Sequence, residues 1–247
     1  MSFSKMNDTS ILDINKVSSI SMENIGKINN HVLNQEVSIQ LVGLTSSYEN
    51  GTYKSINVPK PSGVQVNDLI VLFFSSTSLP FPDPTNDGWT SWLSLNSYGS
   101  APSHCIYYKI AEIDEPSQYT INKSYLIGYL MCLAFRNVNI NSPLGNKSNA
   151  YSIDRKCTTW SSPSINIQNT KNWALYCCST YNELDSLPVH NNPNSQDYTF
   201  VCNSTNIKQW IMYKEYDEAK ATGNIYCSPG GSKKGEYRAS LHEIIKA

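Results

Sequence analysis

The residues of this chain whose types suit chemistry are few and scattered. Its four histidines, His31, His104, His190 and His242, fall in no H-x-x-H or H-E-x-x-H spacing, so sequence alone places no two of them on one helical face as zinc ligands. Each reads as an isolated surface or core residue, and a Cys–His nucleophile pair would have to meet in space, since nothing local suggests one. Acidic residues cluster twice, at Glu112-Asp114-Glu115 and at Glu215-Asp217-Glu218. Glycoside hydrolysis needs two positioned carboxylates. Both clusters, however, fall in turns at matching places of an internal repeat, where acidic side chains keep a loop solvated. The stretch DPTNDG, Asp83 to Gly88, offers oxygen ligands but lacks the register and distal Glu of a calcium loop. SPGGSKKGEY, Ser228 to Tyr237, is glycine-rich but lies between two strand patterns, so it reads as a hairpin loop and not a phosphate cradle. No catalytic residue, metal or cofactor is assigned on these grounds, and the chain reads as a non-enzyme. The binding candidates are aromatic. Trp92, Tyr98, Trp160 and Tyr181 fall in or near expected loops, where amphipathic rings stack on sugars or pack against a neighbouring subunit.

Seven cysteines, Cys105, Cys132, Cys157, Cys177, Cys178, Cys202 and Cys227, form no C-x-x-C pair, which argues against a zinc ribbon or a thioredoxin-like motif. Several lie inside apolar runs and read as small buried hydrophobes kept reduced. The opening residues MSFSKMNDTS lack the basic and apolar regions of a secretory signal, in keeping with that reading. With 19 basic and 20 acidic residues dispersed along the chain, no basic stripe for nucleic acid and no membrane-surface segment is visible. The most apolar run, Tyr125 to Phe135, is too short to cross a bilayer and reads as a buried strand.

The elements that must position these residues are strands. Charged residues make up only 16% of the chain, against roughly 25% in ordinary globular proteins, and Tyr, Trp, Ser, Thr and Asn take their place. Alternating or continuously apolar runs recur between turn clusters: VSIQLVGLTSSY, NDLIVLFFSST, HCIYYKIA, YLIGYLMCLAFRNV, WALYCCST, YTFVC, QWIMYKEY, NIYC and YRASLHEIIKA. This pattern predicts an antiparallel sandwich or jelly roll. The runs also echo one another. NDLIVLFFSST resembles KNWALYCCST, CIYYKIAEIDEPSQYTI resembles WIMYKEYDEAKATGNIYC, and YLMCLAFRNV resembles YRASLHEIIKA. The spacing from Asp68 to Lys109 is 41 residues and from Asn172 to Lys214 is 42. Two similar half-sheets in one chain predict a pseudo-symmetric sandwich. Ahead of it, residues 11–30 repeat a shorter motif: Ile14, Lys16 and Val17 return eleven residues later as Ile25, Lys27 and Ile28.

Two resemblances follow from these residues. VPKPSGVQVNDLIVLFFSS, DGWTSW, CIYYKIAEIDEPSQYTI and LAFRNVNINSPLG, in that order, resemble a jelly-roll β-sandwich domain of bacteriophage virion and tail proteins and of bacterial surface proteins. Gly63, Asp68, Gly88, Trp89, Tyr107, Tyr108, Lys109, Glu115, Pro116, Arg136, Val138 and Pro143 occupy the places of that pattern. Asn137 stands where the family has Gly, and Trp89 matches a family position that reads as core. DINKVSSISMENIGKINN is similar to the "ISKINGVAISDISKING" repeats that open some phage structural proteins, with Ser18 and Asn30 in place of Gly. That resemblance implies a virion-anchoring arm in which Ile14, Lys16, Val17, Ile25, Lys27 and Ile28 make the assembly contacts.

The expectation is therefore an all-β protein: a single antiparallel jelly-roll β-sandwich with pseudo-repeated halves, residues 37–247, preceded by an anchoring arm, residues 1–36. The resemblance implies a phage structural protein of fibre, tail or neck appendage, or capsid decoration type, located in the virion and assembled in the host cytoplasm. Its partners would be other virion proteins and further copies of itself, as a trimer in the case of a fibre, a state that the sequence itself does not specify. A host-surface glycan would be the ligand if it serves attachment. A carbohydrate-binding adhesin and a glycan-degrading enzyme are the rival readings.

Overall fold

The computed structural model describes residues 37–50, 55–76, 84, 88–95, 102–122, 127–153, 157–184, 186–190, 197–201, 207–230 and 236–247. The anchor candidates Ile14, Lys16, Val17, Ile25, Lys27 and Ile28 lie outside them. Among the described residues there is no helix, and every strand pairing is antiparallel.

The first half of the fold comprises β1 (Gln40–Asn50), β2 (Ser55–Pro59), β3 (Leu69–Ser76), β4 (Thr90–Leu95), β5 (Ser103–Ile110), β6 (Gln118–Asn122) and β7 (Ile127–Arg136). The second comprises β8 (Leu144–Ser152), β9 (Trp160–Ser162), β10 (Trp173–Leu184), β11 (Ser186–His190), β12 (Thr199–Val201), β13 (Ile207–Glu215), β14 (Ile225–Gly230) and β15 (Tyr237–Ile244). One five-stranded sheet has the order β1-β7-β3-β5-β4, the other β12-β13-β10-β15-β8. Read from the opposite edge, the second order is β8-β15-β10-β13-β12, the first sheet over again. The smaller sheets repeat as well, β2-β6 in the first half and β11-β14-β9 in the second, with β11 as the one addition.

Backbone detail shows how closely the repeat is kept. Asn67 and Lys171, at equivalent positions, both take left-handed φ, 73° and 63°. In one half Asn67 donates to the Ala111 carbonyl and Ala111 to that of Asp68. In the other Lys171 donates to Tyr216 and Tyr216 to Asn172, the same pair of bonds.

Why β3 and β7 read as unbroken apolar runs is now plain: each is covered on both faces. Between the five-stranded sheets lies a core built from Leu69, Val71, Phe73, Met131, Leu133 and Phe135 on one side and Trp173, Leu175, Cys177, Ile211 and Ile244 on the other. The outer face of the first sheet packs Ile70, Leu72, Phe74 and Cys132 against Ile56, Val58, Tyr119 and Ile121 of β2 and β6. The outer face of the second packs Tyr176, Trp210, Met212 and Leu241 against Trp160, Ile225 and Cys227 of β9 and β14. The stack thus has four layers, two more than a simple sandwich, because each half carries its own outer sheet.

The two poles of the stack differ. At one, the turn pole, hydrogen-bonded connections of seven to ten residues join the strands, the chain enters at Ser38 beside Asn137, and Ala247 closes back, donating to the Asn137 carbonyl, with Val138 bridged to Lys246. β1, β3, β4, β6, β8, β10, β12 and β14 all run toward the other pole.

Candidate functional site

The residues of the family-like pattern turn out to hold the turn pole together. Arg136 grips Asp68 with two bonds, Nε to Oδ1 at 2.9 Å and Nη2 to Oδ2 at 2.8 Å, and also reaches the Gly63 carbonyl at 2.8 Å. The Gln65 amide donates to the same carboxylate. This is the bidentate fork that a guanidinium makes and an ammonium does not. Gly63 and Gly88 have φ of 82° and 87°, where a side chain is strained. Asn137 has φ 63°, a value that Asn tolerates in place of Gly, and its side chain donates to the Ser38 carbonyl. Trp89 packs edge-on against Tyr119 at 5.2 Å, as its core reading expects.

Glu115 corrects one expectation. It does not solvate its turn. Its carboxylate is buried and accepts from Lys109 Nζ at 2.8 Å, from the Tyr119 hydroxyl at 2.9 Å and from the Glu112 amide at 3.0 Å. Burial opposes ionisation, but the hydrogen bonds from Lys109, Glu112 and Tyr119 outweigh it and hold its pKa below the ordinary carboxylate value. In the second acidic turn Glu215 and Asp217 share Lys171, and Glu215 also accepts from Trp173 Nε1. Glu115, Glu215, Asp217 and Glu218 are each paired with a lysine, while Glu112 and Asp114 are exposed on their turn. A groove of about 490 Å³ lies beside Glu115, lined by Lys60, Val66, Glu112 and Ile113. Its Lys60 ammonium is already bonded to the Glu115 carbonyl.

The aromatic candidates are corrected too. Trp92 sits on β4, not in a loop, and is 8% exposed; its ring lies 4.1 Å from His242 and edge-on to Tyr108 in the central core. Trp160 is on β9, fully buried, 4.8 Å from Trp210. Both were assigned to loops because short strands of three to six residues carry too little alternation to be seen. Tyr98 lies outside the described residues; Tyr181 falls on β10, its side chain outside them. Two tyrosines that sequence reasoning passed over are exposed instead. Tyr48 on β1 stacks on Tyr129 at 4.5 Å, and Tyr151 on β8 covers Arg238 at 4.9 Å. Through the registers Tyr48↔Tyr129 and Arg238↔Tyr151 they occupy equivalent places in the two halves.

The structure does bring together two histidines that the sequence left isolated. His104 of β5 and His242 of β15 both bond the Ser240 hydroxyl, at 2.8 and 2.6 Å through their Nε2 atoms. His104 Nδ1 lies 3.4 Å from the Ser179 hydroxyl on β10. All four side chains are wholly buried between the sheets. His242 Nδ1 has no partner. Burial, more than any neighbour, keeps both imidazoles neutral: His104 is pushed well below the ordinary histidine value, with His242 and Arg238 adding to the effect, and His242 is pushed down to about 3, with Lys147 adding. A serine between two imidazoles is a nucleophile's geometry in outline, yet the closed core leaves it no approach from solvent. Its visible role is to tie one sheet to the other. At the equivalent place in the second half, Gln209 reaches back across the core to the Phe73 and Tyr129 carbonyls. The signal in the sequence was one of parity: both histidines fall on the inward-facing positions of their strands.

Five of the six described cysteines are buried, as free thiols, and burial pushes Cys227 up to about 12, away from thiolate chemistry. Comparison with known proteins finds no matching family model, no matching curated protein and no matching solved structure.

Proposed function

We propose that the chain is a non-enzymatic structural component of a bacteriophage virion, a fibre, tail or neck appendage or capsid decoration, that docks through residues 1–36 and displays the sandwich of residues 37–247. Each half, a five-stranded sheet backed by a smaller one, is a small jelly roll in this reading. Three things support it: the stuttered DINKV…NIGKI motif, the ordered family-like pattern, and the use of that pattern's polar residues to hold turns instead of to face a substrate. The observation that carries it is the polarity of the sandwich. The chain enters at Ser38 on the turn pole, where Ala247 also lies, while eight strands run out toward the far pole. A docked arm would turn that far pole outward. Several copies on one particle, a trimer in a fibre, would then convert weak surface contacts into avidity.

A cryo-EM map of the intact particle tests this. Density for residues 11–30 between virion subunits, with the sandwich projecting, upholds the proposal; a particle lacking the chain overturns it.

Tyr48 and Tyr151 favour a second reading, a glycan-binding adhesin. Each presents a ring braced from beneath, and a braced ring stacks on a sugar at little entropic cost. Glycan-array binding lost in Tyr48→Ala/Tyr151→Ala would support it, and binding unchanged by that pair would remove it.

A further inference from the structure

The contact between the two central sheets is polar where His104, Ser179, Ser240 and His242 meet, and the two halves bring different residues to it. The inward face of β7 carries Tyr129, Met131, Leu133 and Phe135; the equivalent positions of β15 carry Arg238, Ser240, His242 and Ile244. On β5 the inward residue is His104, and on β13 its equivalent is Gln209. The molecule therefore holds two cross-sheet latches, one built on an amide that cannot titrate and one on imidazoles that can.

The surroundings of the second latch suit only neutral rings. From β15, Arg238 faces His104 and donates to the Pro102 carbonyl. From β8, Lys147 faces His242 and donates to the Trp92 carbonyl. From β3 and β4 come the rings of Phe73 and Trp92. Other titratable groups on the faces packed here include the Tyr108, Tyr129 and Tyr213 phenols and the Cys177 thiol. Glu236, just ahead of β15, is buried, but neither histidine contacts it or any other carboxylate among the described residues. The hydrogen bonds themselves leave room for one more proton. Ser240 donates to one imidazole and accepts from the other, so each ring is satisfied at Nε2 as the neutral form. A proton added at the free His242 Nδ1 meets no acceptor, and a positive ring is enclosed with two cations and no anion.

We infer that the His104–Ser240–His242 bridge is an acid-sensitive latch between the two halves of the sandwich, closed while both rings are neutral and released when either takes a proton. Each half keeps its own outer core, around Tyr119 in one and Trp160 in the other, so the contact that acid weakens is the central one. The direction follows from linkage. Below pH of about 6.5 the unfolded chain binds protons at these rings and the folded chain does not, so stability falls as pH falls, until the folded rings titrate, near 3 for His242. Each ring that must stay neutral lowers the folding equilibrium by up to about tenfold per pH unit in that window.

Two measurements test the latch. In ¹³C-histidine NMR of the full chain, only four imidazoles report. Two of them, assigned by loss of one signal in His104→Gln, are expected to stay neutral at pH 5 while the fold persists. In parallel, denaturation midpoints between pH 7.5 and 4.5 are compared for wild type and His104→Gln, a change that installs the residue of the mirror-image latch. The variant is expected to lose about tenfold less of its folding equilibrium per pH unit than wild type. Titration of both buried rings near 6.5 in the folded protein, or an acid response identical in wild type and variant, overturns the inference. If His104→Gln does not fold, the NMR titration of the wild type decides alone.

Discussion

Glu243 is the residue whose chemistry was least visible in advance. It is wholly buried on the outer face of β15, with no cation paired to it among the described residues, and its carboxylate is held by N–H groups: Gln168 at 2.6 Å, Asn172 Nδ2 at 2.8 Å and Asn146 at 3.1 Å. Gly145 allows this, since a Cβ there would sit 2.2 Å from Glu243 Oε2. Glu243→Ala would leave the buried Asn172 Nδ2 and two part-buried backbone amides without their acceptor and is expected to cost about 2–3 kcal/mol in urea denaturation. Gly145→Ala is expected to be destabilising alone but nearly silent on the Glu243→Ala background, because both changes remove the same carboxylate nest. A cycle in which the two costs simply add would disprove that coupling. The acidic clusters that attracted notice, 112–115 and 215–218, were conspicuous because they are local. Glu243 meets its partners across 71 to 97 positions of chain, which no local pattern reveals. Asn137 was legible in part: its place in the family-like pattern marked a turn, and its φ of 63° is one that Asn adopts more readily than most non-glycine types. Asn137→Ala is expected to lower stability by about 1–2 kcal/mol, and Asn137→Gly by less, since Gly keeps the backbone and loses only the bond to Ser38.

Among the elements, strands with a continuous apolar run were read correctly and polar ones were not. β3, β5, β7, β10, β13 and β15 were all apparent from their sequence, each being covered on two faces. β8, LGNKSNAYS, was not: it is an edge strand whose only partner in its sheet is β15, with no apolar alternation to betray it. The short β2, β4, β9 and β11 escaped because their few residues lie among prolines, serines and asparagines that read as loop. The contrast between β7 and β15 carries an expectation of its own. His242→Leu places in β15 the residue that β7 has at the equivalent site, Leu133, and removes a buried nitrogen without a partner. Its cost at pH 7 is expected to stay within about 1 kcal/mol. Leu133→His does the reverse, facing an imidazole toward a position where Met131 stands instead of a serine, and is expected to cost at least about 2 kcal/mol. Thermal or chemical unfolding of the two variants side by side decides; equal costs would mean that the two inward faces are interchangeable and that the polar seam is incidental.

At the scale of the whole molecule, duplication was read in the sequence and proved deeper than three matched strands. It extends to sheet order, to the left-handed residues Asn67 and Lys171, and to a pair of cross-core latches made of different chemistry. What sequence echo could not supply was the manner of stacking, since facing two five-stranded sheets inward depends on which side of each strand is apolar on both counts, and both sides are. The polarity that results bears on the proposed docking. If the arm of residues 1–36 is fixed to a particle, the turn pole, where Ser38 and Ala247 lie, faces the particle surface, and the start of β15 at Tyr237 faces away. An epitope appended after Ala247 is then expected to bind antibody in the free protein and to be shielded on intact virions, while an epitope inserted between β14 and β15 binds in both. Immunogold labelling of particles assembled with each tagged form separates the cases. Labelling of the C-terminal epitope as strong as that of the inserted one would mean that the turn pole is not buried against a scaffold, and the arm would then have to act as a long tether instead of a close dock.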